Sequence, residues 1–230
     1  MKPGRFRKIP AGIRKALLFP MDPFGRQSLS GIPHKLIRYE AWSMFTQYWV
    51  LSDRVVVCPA VGAPAAAMAV EWLAASGVES ILLVGSCGGL GDQFQAGEVL
   101  RVDEALSACG TTTHYFPSET RFTSTVDLRA RIHSALVERG FELKPGTVVT
   151  TDAPYRETPA FLNDCRHRGA EAVEMECAAV FAVARFRQLS AAAVLVVADR
   201  VDEDRWIRGG LVKYALSMRR LLSALWELEF

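Results

Sequence analysis

Ala172-Val173-Glu174-Met175-Glu176-Cys177-Ala178-Ala179-Val180 joins a β-type segment to a long apolar helix that runs to about Arg187. Two carboxylates one residue apart bracket a methionine at the turn between the two elements. In α/β sheets, the turn at the carboxyl end of a strand is where ligands collect. Acidic side chains are seldom buried without a partner. If the turn lines a pocket, its carboxylates call for hydroxyl donors, and a sugar 2′,3′-diol supplies them. If it lies at the surface, the glutamates simply suit the positive end of a helix dipole. The triplet alone leaves both readings open.

Outward from it, strand-like and helix-like segments alternate. Arg54 to Cys58 is a β-branched run closed by Pro59, and Pro64 opens an alanine-rich helix to about Ala75. Ser80 to Val84 is a continuous apolar run, the mark of a strand buried on both faces. Gly97 to Val102 and Gly146 to Thr150 read as strands, and Val126 to Gly140 as a helix. Ala191 to Ala198 is the most strand-like segment, and Leu211 to Leu228 is an amphipathic helix. The long Thr-rich stretch from Cys109 to Thr125, with Pro117 inside it, reads as a loop. This alternation predicts an α/β fold of three layers, with a mostly parallel central sheet flanked by helices. A length of 230 residues, half of them apolar, predicts one domain over 1–230, with a basic N-terminal segment.

Bulk properties narrow the function classes. The 27 basic and 25 acidic residues nearly cancel, so the overall charge gives no footprint for nucleic acid. Lys2, Arg5, Arg7, Lys8, Arg14 and Lys15 make the first turns of chain basic, which suits a solvated terminus or a polyanion contact. Cys58, Cys87, Cys109, Cys165 and Cys177 are widely spaced with no Cys-x-x-Cys pair. That pattern suits a reducing compartment and neither a disulfide framework nor a zinc site. No apolar stretch approaches the ~18 residues of a membrane span, and the N-terminus is a poor signal peptide. A cytoplasmic protein with no membrane partner is the expectation.

Four further segments accompany the triplet: Val61-Gly62-Ala63-Pro64, Val84-Gly85-Ser86-Cys87-Gly88-Gly89-Leu90, Thr150-Thr151-Asp152-Ala153-Pro154-Tyr155 and Val196-Val197-Ala198-Asp199. In this order they resemble the nucleoside phosphorylase/nucleosidase superfamily. That superfamily includes purine nucleoside phosphorylase, uridine phosphorylase and methylthioadenosine/S-adenosylhomocysteine nucleosidase. The likeness runs from about Val55 to Asp199 and is weak on either side, including over residues 1–50. It implies cleavage of the N-glycosidic bond of a purine-type nucleoside, inorganic phosphate as co-substrate, no other cofactor, no metal and a homo-oligomer.

Such cleavage builds positive charge on the ribose and negative charge on the departing base. It needs acceptors on the sugar hydroxyls, an apolar surface under the ribose and an acid for the base. The resemblance assigns Glu176 to the diol, Met175 to the sugar face and Glu174 to the neighbouring acid's part in catalysis. Asp199 matches the acid at purine N7, where partial burial raising its pKa is expected. His114 is placed near the sugar 5′ position, and Cys87, Gly88, Tyr155 and Arg156 around the base. Ser86 is placed on phosphate. Plainer readings stay open: core packing for Met175, and an N-cap or an ion pair with Arg200, Arg205 or Arg208 for Asp199.

The chain also departs from the phosphorylase pattern. Leu83 stands where phosphorylases carry an arginine for phosphate, and leucine cannot neutralise a dianion. Pro20-Met21-Asp22-Pro23-Phe24-Gly25-Arg26 resembles their phosphate loop, with Met21 for the glycine and the arginine displaced. Arg26 and Arg38 are the cations that would rebuild the site. Pro154 replaces the phenylalanine common at the base-stacking position. Two alternatives therefore stand beside phosphorolysis: hydrolysis by water, and a non-catalytic nucleoside-binding protein.

Overall fold

The computed structural model describes residues 9–21, 37–40, 46–51, 53–201, 206–208 and 210–230, with 37–40 and 208 described in backbone alone. Arg26, the Asp22–Gly25 part of the loop before it and the Arg38 side chain lie outside the described residues. The strands are β1 (Lys15–Leu18), β2 (Ile37–Glu40), β3 (Gln47–Val50), β4 (Arg54–Cys58), β5 (Ser80–Leu90), β6 (Val99–Ala108), β7 (Arg121–Thr123), β8 (Leu143–Thr151), β9 (Ala172–Glu174), β10 (Ser190–Val201) and β11 (Trp206–Arg208). The helices are α1 (Ala63–Ala75), α2 (Val126–Glu138), α3 (Pro159–His167), α4 (Cys177–Phe186) and α5 (Leu211–Trp226).

Side-chain alternation along the central strands sorts the core into two faces. On β4, β5 and β10, Val55, Val57, Ile81, Leu83, Ala193, Leu195 and Val197 pack toward α1 and α4. Their neighbours Val56, Leu82, Val84, Val194 and Val196 pack toward Leu128, Ile132 and Leu136 of α2 and Leu221, Leu222 and Leu225 of α5. Helices on two sides of a sheet give the expected three layers. A smaller cluster under α3 holds Leu106, Val149, Leu162 and Val173.

The sheet is more mixed than the alternation of strands and helices predicts. Parallel pairings join β4–β1–β5–β10 and β6–β8–β9. Antiparallel pairings join β10 to β6 and β11, β5 to β9, β6 to β7, and β2–β3–β4. For the sequence-adjacent pairs β2–β3–β4, β6–β7 and β10–β11 the physical reason is connection length, because antiparallel neighbours need no crossover helix. The pairings from β10 through β6, β8, β9 and β5 return to β10, so the sheet closes on itself around this part of the molecule.

Two expected boundaries move with consequences for function. β5 does not stop at Val84 but runs through the glycine stretch to Leu90, paired with β10 on one side and β9 on the other. β10 likewise continues past Ala198 to Val201. The expected loop from Cys109 to Thr125 holds a 3-10 turn, Thr111–His114, and β7.

Candidate active site

The carboxyl-terminal halves of β5 and β10 run side by side, and their register slips between Val197 and Asp199. A bulge there re-aims the next side chain, and it brings Asp199 opposite Gly88. A Cβ at Gly88 would lie 2.9 Å from Asp199 Oδ1 and 3.0 Å from Val201 Cγ2. Only glycine leaves room for the carboxylate. Burial pushes Asp199 above the usual carboxylate range.

The triplet lines the same cleft. Glu174, at the end of β9, spends its carboxylate on protein donors. Its Oε2 accepts from the backbone N–H groups of Glu176 and Cys177, each at 2.7 Å. Its Oε1 accepts from the Thr150 hydroxyl, which itself accepts from Ala178 N–H at 2.8 Å. The group thus caps the start of α4 and ties it to β8. Burial raises its pKa, while these donors pull it down.

Glu176 is differently placed. Only 6% exposed, it lines the same cleft as Asp199. Its Oε1 accepts from Gly62 N–H at 2.6 Å, and Gly62 presents that N–H from a φ of 82°, a conformation suited to glycine. Burial first, and then the charge on Glu174, push Glu176 up to about 8. A buried carboxyl group with so few protein donors is matched to a ligand that brings hydroxyls. Met175 lines the cleft between the two acids.

The cleft has a volume of about 1160 Å³. Gly85, Ser86, Cys87 and Gly88 form its floor, with Pro20 and Met21 at one rim and α5 along one side. Ser86 shares a hydrogen bond with the Tyr214 side chain. Cys87 is buried, and burial together with the charges of Glu174 and Asp199 drives its thiol far up. It lines the cleft as an inert thiol. Among the described residues no cluster of His, Cys, Asp or Glu is arranged to hold a metal ion, and no helix is long and apolar enough to cross a membrane.

A family profile described as the phosphorylase superfamily matches residues 27–212. The chain belongs to the phosphorylase superfamily. Among curated relatives, a guanosine phosphorylase of Halorubrum lacusprofundi is 32% identical over 146 residues, covering 64% of this chain and 61% of that protein. A DeoD-type purine nucleoside phosphorylase of Bacillus cereus is 29% identical over 143 residues, 61% of each chain. The chain therefore spans about 61% of the length of these relatives. Among solved structures, purine nucleoside phosphorylase from Toxoplasma gondii superposes with a TM-score of 0.80 at 20% identity, over 94% of this chain and 90% of that one. An AMP nucleosidase from Bacteroides thetaiotaomicron gives 0.69 at 20% identity, over 93% and 88%. These two likenesses are of fold.

Within this superfamily member, the cleft brings together Ser86, Cys87, Gly88, Glu174, Met175, Glu176 and Asp199. Other expected site residues lie elsewhere. Tyr155 is 92% exposed, its ring 6.2 Å from that of Trp206, and the adjoining Pro154 and Glu157 reach the cleft where Tyr155 and Arg156 were expected. The 3-10 turn Pro154–Arg156 explains this, since it swings the two intervening side chains outward. His114 sits with Glu71, Tyr115 and Asp152 in a separate depression over α1. Leu83 is fully buried on the α1 and α4 face of β5 and lines no part of the cleft. It is a core residue, so an arginine there would disrupt packing before it met an anion.

Two charged cleft residues escaped the sequence reading. Arg219 of α5 lines the cleft, and among the described residues its guanidinium has no hydrogen-bond or ion-pair partner. Position in an amphipathic helix carried no signal for it. Glu157 stands beside Asp199, and burial, opposed by a hydrogen bond from the Trp206 side chain and reinforced by the Asp199 charge, pushes it up to about 7. Its place just beyond Tyr155 was the available clue.

Proposed function

We propose that this chain cleaves the N-glycosidic bond of purine nucleosides with phosphate as acceptor. The observation that carries the reading is that one cleft is lined both by Glu176, buried and short of donors, and by Asp199, held against Gly88. In this reading the ribose diol donates to Glu176 and the sugar face rests on Met175. Asp199, its carboxyl pushed up by burial, serves the base as a general acid as negative charge develops there. Glu174 acts through others, by fixing the turn that presents Met175 and Glu176. Cys87 and Gly88 border the base. Phosphate is the sole co-substrate, with no other cofactor. It occupies the space by Ser86, and Arg219 supplies the cation that β5 lacks; Arg26 and Arg38 remain candidates from outside the described residues.

The relatives' printed activities, guanosine and purine nucleoside phosphorolysis, favour the same reaction. We further propose a cytoplasmic homo-oligomer, tested by light scattering against the 25.4 kDa chain mass.

The deciding experiment is turnover of a nucleoside panel with and without phosphate, following free base and sugar product. Ribose 1-phosphate formed only when phosphate is present is the expected result. One observation favours hydrolysis as the second reading: the β5 residues that line the cleft, Val84 to Gly88, include no cation. Free ribose at a rate independent of phosphate would replace phosphorolysis by hydrolysis. Nucleoside binding with no turnover in either buffer would leave a binding protein.

A further inference from the structure

The cleft extends to both sides of Ser86. Toward the end of β5 lies Gly88, which pairs with Asp199 in the half given to the nucleoside. In the other direction Gly85 and Val84 line it as well. A Cβ at Gly85 would lie 3.3 Å from Pro20 Cγ, and Val84 joins Met218 and Leu222 in one apolar cluster against which Trp226 packs. Along α5 the lining residues Tyr214, Met218, Arg219, Leu222, Ser223 and Trp226 recur at helical spacing. At about 1.5 Å of rise per residue, Tyr214 to Trp226 covers about 18 Å. Sites that bury a drug-sized ligand hold roughly 300–1,000 Å³, and this cleft holds about 1160 Å³. A nucleoside and inorganic phosphate leave the stretch from Arg219 to Trp226 unused.

We infer that this stretch is a subsite for organic phosphates, taking an anionic phosphate or phosphonate head between Ser86 and Arg219 and an aryl substituent along α5 toward Trp226. The inference rests on the proposal that phosphate sits by Ser86 with Arg219 as its cation. Replacing one phosphate oxygen by a carbon substituent leaves three acceptor oxygens for the Ser86 hydroxyl and the guanidinium. Arg219 has no ion-pair or hydrogen-bond partner of its own among the described residues, so its planar fork can pair with two of them. Beyond it the walls are carbon: Val84, Leu222, Pro20 and Met21. The one hydroxyl there, on Ser223, is spent on the Arg219 carbonyl at 3.0 Å. Such walls reward the removal of apolar surface from water, at about 25 cal/mol per Å². A single cation at the inner end of an apolar trough matches one charged head on an apolar tail. A ligand of this class shares its head position with phosphate and so competes with it.

The test uses the full chain and three probes: inorganic phosphate, methylphosphonate and phenylphosphonate. The two phosphonates share a head, so at a pH where both are dianions their ratio isolates the substituent. By calorimetry, wild type should bind phenylphosphonate about tenfold or more tightly than methylphosphonate, and added phosphate should displace it. Ser223 is exposed on α5, so Ser223→Phe puts a ring into the trough without touching the core. In that variant the advantage of phenyl over methyl should shrink to within about twofold. Equal binding of the two phosphonates by wild type overturns the inference, and so does a failure of either to bind, results that need no variant. It is equally overturned by phenylphosphonate that phosphate cannot displace, or by an aryl advantage that survives Ser223→Phe. None of these measurements requires turnover. Free ribose formed at a rate independent of phosphate therefore counts against phosphorolysis alone, and the phosphonate ratio decides the subsite separately.

Discussion

Glu176 and Glu174 stand two positions apart and do opposite things with the same functional group. Three protein donors and a place at the start of α4 occupy Glu174, whereas Glu176 takes backbone N–H groups alone, chiefly that of Gly62, and lines the cleft. Glu176→Gln keeps the acceptor for Gly62 and turns the other carboxyl oxygen, an acceptor for a diol, into an amide donor. On a substrate established by the panel assay it should lower kcat/KM roughly 100-fold, about 3 kcal/mol at the transition state. Efficiency near wild type, with the circular dichroism unchanged, would remove Glu176 from the ribose site. The same substitution has a signature in stability. Glu176 titrates near 4.5 when free and at about 8 in the fold, so the folded state holds its proton longer than the unfolded chain. Stability therefore declines as pH rises from about 4.5 and is fully reduced above about 8. The variant escapes that decline, and its Tm relative to wild type should climb across this window. Parallel Tm curves would show that the burial of Glu176 costs the fold nothing.

At the scale of elements, the site depends on two strands read in unequal depth. Glycines weaken a strand's intrinsic preference, so Gly85 to Gly89 read as a turn. In the fold they lie inside β5, where β9 and β10 supply the pairing that the residues themselves do not favour. The bulge after Val197 in β10 then turns Asp199 toward the space that Gly88 leaves. Gly88→Ala would press a methyl group into Asp199 Oδ1, Val201 and Val173. Displacing the acid by even an ångström should lower kcat/KM by about 100-fold. Steady-state kinetics with unchanged far-ultraviolet circular dichroism checks this. A variant as active as wild type would mean that Asp199 has no fixed position to lose.

Across the whole molecule, the cleft is finished by α5, the last helix of the chain. Tyr214 reaches Ser86, and Met218 and Arg219 follow on the same side. Arg219 thereby lines the same cleft as Ser86, more than a hundred residues away in sequence, and in the proposed reaction it is the cation for phosphate. Arg219→Ala should raise the phosphate KM about tenfold while leaving the nucleoside KM nearly unchanged. Arg219→Lys should recover part of the loss. A phosphate KM that does not move would shift the anion site to Arg26, Arg38 or a neighbouring subunit.

The sequence by itself determined the α/β class, the strands around Arg54–Cys58, Ser80–Val84 and Ala191–Ala198, and the order of the motifs that end in Asp199. Each of these rests on local signals: apolar runs, β-branching, and glycine or proline punctuation. It also marked Glu174, Met175 and Glu176 as a unit. What it left open was how the two acids divide, because that depends on which donors arrive from Gly62 and Thr150, far along the chain. Tertiary structure alone decided that the sheet closes, that Leu83 belongs to the core, and that His114 and Tyr155 lie off the cleft. It also brought in Glu157 and Arg219. The reason is physical: periodicity records which face of an element is buried, whereas a cleft is made where faces of distant elements meet.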